Sequence, residues 1–177
     1  TQSGDVLVKF TDGTNGTSDQ RNIKAFSGGL TLTINAGSSI TLTGNFSFSK
    51  IGVGASTKVF IGASGVSCSN IIPDGGSGSL ELVDGSLGLV LFSDAAGGYA
   101  LTASATVAAG AGSSSASATV TIRCNTTNHA VNETVSVSTA AVQVKFSATE
   151  IRNGTTAFQS IALSDATINI DNIFIIT

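Results

Sequence analysis

Apolar and polar residues alternate along much of this chain, most regularly in Leu30-Thr31-Leu32-Thr33-Ile34, Ile40-Thr41-Leu42-Thr43 and Phe46-Ser47-Phe48. A period of two puts every second side chain on one face of an extended segment, so each run predicts a strand with one buried and one wet face. Further strands are expected over 58–61, 79–83, 87–92, 99–108, 116–123, 131–138, 141–151, 158–163 and 166–176, roughly ten to twelve in all. Pro73-Asp74-Gly75-Gly76, Asp84-Gly85, Gly97-Gly98 and Asn153-Gly154 supply residues that tolerate positive φ, the chemistry that turns between strands require. The Ala/Ser/Gly tract from Ala103 to Ala118 has two readings: a small-residue surface where two sheets or two subunits meet closely, or a long hairpin with its tip at Gly110-Ala111-Gly112-Ser113.

One alternating run stands apart from the rest. Asp5-Val6-Leu7-Val8-Lys9-Phe10-Thr11 puts Val6, Val8 and Phe10 on one face and Leu7, Lys9 and Thr11 on the other. It is followed by a Gly/Thr/Asn-rich stretch, Asp12 to Asp19, that gives the strand a flexible leash. A strand so tethered can pair with something other than its own body. Its V-x-V-K-F-[ST] pattern returns at Val142-Gln143-Val144-Lys145-Phe146-Ser147, and Asn153-Gly154-Thr155 follows that copy much as Asn15-Gly16-Thr17 follows the first.

Composition supports an all-β chain. Hydrophobic residues make up 41% of the 177 positions and charged residues only 11%, less than half the usual charged share. Ser, Thr, Gly and Ala stand where Lys and Glu would be, and Gly and β-branched residues disfavour helices. The length suits one folded body. A net charge of −3 offers no basic stripe to a phosphate backbone, which excludes nucleic acid as an expected partner. The chain begins at Thr1 and contains no Met, the expectation being a processed, exported form. No apolar run reaches the roughly 18 residues of a membrane-spanning helix.

Chemistry-bearing residues are few. Cys68 and Cys124 fit either one disulfide in an oxidising compartment or two thiols in a reduced one, and the export-like composition favours the bridge. Five Asn-X-Ser/Thr sequons begin at Asn15, Asn45, Asn125, Asn132 and Asn153, candidate N-glycan acceptors that would solvate a charge-poor surface. The single histidine, His129, lies in the polar run Asn125-Thr126-Thr127-Asn128-His129, which reads as an exposed turn and not as a catalytic base. Scattered Asp and Glu read as strand terminators, not as a glycosidase pair. Asp12, Asn15 and Asp19, or Asp74, Asp84 and Asp94, are oxygen donors for calcium only in spacings that do not match an EF-hand loop. No metal site, cofactor or enzymatic activity is expected.

A leashed N-terminal strand, a charge-poor Ser/Thr/Gly-rich β body, a cysteine pair, sequons and a strand-forming C-terminus give a layout that resembles exported filament subunits assembled by donor-strand complementation. It is most similar in character to archaeal thread pilins, and more distantly to the archaeal bundling pili related to the TasA biofilm fibre and to bacterial chaperone–usher pilins, whose cysteine spacing it does not share. The resemblance implies an incomplete Ig-like or pilin-like β-sandwich, with residues 1–19 as donor strand and hinge and residues 20–177 as the body. Val6, Leu7, Val8 and Phe10 would complete a neighbouring copy's sheet in an extracellular, head-to-tail, glycosylated filament serving adhesion or biofilm formation. The alternatives are a secreted carbohydrate-binding or adhesin sandwich, disfavoured by the absence of Trp and the single Tyr99, and a small secreted hydrolase.

Overall fold

The computed structural model describes residues 25–36, 38–52, 54, 57–69, 78–94, 97–170 and 174–176. Its regular elements are all strands: β1 Ala25–Ala36, β2 Ser38–Ile51, β3 Lys58–Ser69, β4 Gly78–Phe92, β5 Tyr99–Ala111, β6 Ser114–Asn125, β7 Val131–Val137, β8 Ala140–Phe146, β9 Phe158–Ile170 and β10 Phe174–Ile176. Eight form one antiparallel sheet in the order β1-β2-β3-β4-β5-β6-β9-β10, and β7 and β8 form a separate two-stranded sheet.

Several expected strands merge. The runs at 40–43 and 46–48 are both part of β2, and 79–83 and 87–92 are both part of β4. Asp84-Gly85 was expected to turn the chain; instead Asp84 takes φ 52° and the register slips between Val83 and Ser86, so the extra residue makes a bulge. Similar slips occur between Thr43 and Asn45, between Ala63 and Val66, and between Ser117 and Thr119. Gly65 and Asp165, with φ 58° and 53°, fall at two of them. Bulges at neighbouring positions of adjacent strands bend and twist the sheet along one line. The Ala103–Ala118 tract is a hairpin: Ala111 pairs with Ser114 across Gly112-Ser113, and Gly112 supplies the positive φ of 62°.

The β7–β8 hairpin packs on one face of the large sheet. Inward go Val131, Val135, Val137, Val142, Val144 and Phe146, all under a tenth exposed, with part-buried Glu133 on the same side paired to Lys58, while Asn132, Thr134, Ser136, Gln143 and Lys145 face outward. They meet a row that crosses five strands in direct register: Phe60, Val90, Ala100, Asn125 and Phe158. Close approach needs glycine beneath the hairpin. A Cβ on Gly88 would sit 2.7 Å from Val144 Cγ2 and 3.0 Å from Val142 Cγ1, so any larger residue pushes the layers apart.

One end of this core is tied by polar contacts. The Arg123 guanidinium lies 4.7 Å from the Phe146 ring centroid, pairs with Glu150 Oε1 at 2.5 Å and donates to the Lys145 carbonyl at 2.6 Å. Glu150 also accepts from the Ser147 N–H at 2.9 Å. Its carboxyl is thereby held down at about 2, chiefly by the Arg123 hydrogen bond and next by that of Ser147. Fully buried Asn125 uses its whole amide: Nδ2 donates to the carbonyls of Glu150 and His129, and Oδ1 accepts from the Thr127 N–H and hydroxyl. Sequence reasoning read Asn125 as a glycan acceptor. The fold overturns that, because its nitrogen is sealed in the core and committed twice.

The expected Cys68–Cys124 bridge is also absent. Cys68 on β3 faces Leu82, and the row continues through Val107 to Ala118 on β6. Cys124 lies three strands across and six residues further along β6, on the order of 20 Å away, whereas a disulfide needs Cα atoms within about 7 Å. Spacing along the chain carried no information about this separation. The Cys124 thiol instead donates to the Tyr99 hydroxyl at 3.8 Å, a contact that raises the Tyr99 pKa.

Candidate assembly surface

The face of the large sheet opposite the hairpin is apolar across its width. Register places Phe46, Ala63, Leu87, Ala103, Ile122 and Ile161 in one unbroken row across six strands. Alternation along each strand repeats the character above and below that row. Val120 and Leu163 are directly paired in the next row on this face. Nothing among the described residues covers it: Ile161 is 71% exposed, Leu163 69% and Leu30 51%.

This face is not flat. A trough of about 540 Å³ opens between Leu30 and Phe46 on one side and Val120 and Ile122 on the other, and the bulged residues Val66 and Gly85 line it. Its lining contains no charged side chain. Small residues at the centre, Ala103 and Ala105, make the depression, and the larger side chains flanking them make its walls. A depression on a sheet face whose strands are already paired takes apolar side chains and not a further strand. Among the described residues its lining holds no titratable side chain.

The opposite face carries pairs of hydroxyl side chains beyond the hairpin. Thr43 bonds Ser67, Ser104 bonds Thr121 and Thr106 bonds Thr119 through their hydroxyls. Asn45 is exposed on this side, Asn132 is exposed on the outer surface of β7, and Asn153 is exposed in a turn closed by its own bridge to Thr156. All three sequon asparagines are therefore open to solvent and lie off the apolar face. Asn15 and the strand residues Val6, Leu7, Val8 and Phe10 lie outside the described residues.

Asp12, Asp19 and Asp74 also lie outside the described residues. Among the described residues no group of three His, Cys, Asp or Glu side chains converges. Asp84 lies in the β4 bulge, while Asp94 follows the far end of that strand and accepts from the Gly97 N–H at 2.8 Å. His129, expected in an open turn, packs edge-on against Phe92 with ring centroids 5.1 Å apart. The echo of the N-terminal strand is informative: it is β8, with Val142, Val144 and Phe146 turned inward and Gln143 and Lys145 outward. No protein-family description, curated protein or solved structure matches this chain.

Proposed function

We propose that this chain is a structural subunit of an extracellular cell-surface filament that polymerises by donor-strand complementation and serves adhesion or biofilm formation. The observation that carries the reading is an apolar face, uncovered among the described residues, with an uncharged trough. Exposed apolar surface of this extent marks an interaction site, and Val6, Val8 and Phe10 of a neighbouring copy have the alternation to pack beside Ile161 and Leu163 at the edge of this face. β8 illustrates how such a strand behaves, burying its Val, Val and Phe while Lys stays in water. Main-chain pairing would provide affinity and the alternate side chains register. The contact is heterologous, so it propagates as an open filament instead of closing a ring.

In this reading, glycans on Asn45, Asn132 and Asn153 solvate the opposite side and leave the joint free. The test is electron microscopy of the full chain beside a variant lacking residues 1–12. Filaments from the full chain and none from the shortened one are expected; filaments that grow normally from both would sink the mechanism.

A further inference from the structure

The filament reading leaves open which backbone edge receives the donor strand, and the following inference rests on that reading. β10 pairs with β9 only over Ile168–Ile170. Among the described residues nothing pairs with the outer edge of β9 from Phe158 to Thr167. Open edges are ordinarily guarded by charge, proline or shortness. The run Phe158-Gln159-Ser160-Ile161-Ala162-Leu163-Ser164 has none of these guards. It also carries Ile161 and Leu163, the two most exposed large apolar side chains described. Asp165, with φ 53°, ends the regular run at a bulge, which leaves the seven residues 158–164 as an extended template. The N-terminal alternating strand, Asp5 to Thr11, is also seven residues long.

We propose that the outer edge of β9 is the docking site for residues 5–11 of a second copy. The donor extends the large sheet, with Val6, Val8 and Phe10 continuing the face of Ile161 and Leu163 beside Ile122, and with Leu7 and Lys9 on the face of Ser160 and Ala162. A neighbour is the occupant because of where the donor is attached. It joins the body at β1, six strand spacings from β9 in the sheet order, about 29 Å across the sheet. To reach its own β9, the 13-residue segment from Asp12 to Lys24 would have to stretch well beyond the roughly 20 Å root-mean-square length of a flexible linker of that size. Donor and acceptor at opposite edges of one sheet also give each copy one free end of each kind, which is what linear growth needs.

The test uses full-length chains with a photoreactive benzophenone residue in place of Leu7, assembled as a mixture of isotopically heavy and light copies. Cross-links from position 7 to residues 158–164, with heavy-to-light pairs among them, are expected. Backbone amide exchange over 158–164 should slow at least about tenfold on assembly. Cross-links that land on β1 or β7, or that join only residues of one chain, would overturn the edge assignment while filaments seen by microscopy kept the filament reading. A full chain that never forms filaments would remove both.

Discussion

Two rows cross the same sheet on opposite faces: Phe60, Val90, Ala100, Asn125 and Phe158 on one, Phe46, Ala63, Leu87, Ala103, Ile122 and Ile161 on the other. The first is sealed by a single hairpin. The second is wider, wholly apolar, and uncovered among the described residues. The sealed row owes its cover to local chain economy, since β7 and β8 arise directly after β6 and return to β9 through the Glu150 loop. Gly62 and Gly88 let them approach closely. The open row has no such neighbour in sequence. A difference of this kind separates what the chain stabilises alone from what it leaves for assembly, and substitutions in the two rows should behave differently.

The largest effect on the isolated body is expected from Phe146→Ala. This ring is 2% exposed and packs against Phe158 and under Arg123, so its loss should cost about 3–5 kcal/mol in denaturant melts. Asn125→Ala follows, because it leaves the buried Thr127 N–H without its acceptor and the Glu150 carbonyl without its donor; about 2–3 kcal/mol is expected by the same measurement. Gly88→Val should destabilise by about 1–3 kcal/mol through overpacking against Val144 and Val142.

Acid sharpens the comparison further. The Glu150 carboxyl is held at about 2 in the folded chain, below its ordinary 4.5. The unfolded state therefore binds the proton more readily, and this contribution to stability is complete above about pH 4.5 and lost as pH falls toward 2. Melting temperature followed from pH 6 to pH 2 should fall in that window, and Glu150→Gln should flatten that part of the fall. The smallest effect on the body is expected at the open row: Leu163→Ser, at a side chain 69% exposed, should change stability by no more than about 0.5 kcal/mol. Filament growth followed by light scattering should nevertheless slow, because the joint loses apolar contact.

Strand type was legible from alternation, as Leu30 to Thr43 and Phe46 to Phe48 show, since the pleat imposes its period directly on the residues. How strands associate was not. Nothing local distinguishes Asp84-Gly85 as a bulge from the same dipeptide as a turn; long-range pairing of β4 with β5 decides it. The division into one large sheet and one hairpin was likewise hidden, because it depends on β6 pairing with β9 across 32 intervening residues. Asn125 looked like any sequon, and only tertiary contacts reveal it as a core amide. The apolar face was present in the sequence one residue at a time, in Phe46, Ala63, Leu87 and Ile122, and becomes a surface only once register aligns them.

The most direct measurement is hydroxyl-radical footprinting of the full chain before and after assembly. Ile161 and Leu163, beside the docked strand, should lose labelling severalfold on assembly, whereas Thr134 and Gln143, exposed on the outer side of the hairpin and bonded to each other at 2.9 Å, should label unchanged. Undiminished labelling of Ile161 and Leu163 in assembled material would contradict the claim that the β9 side of this face is the joint.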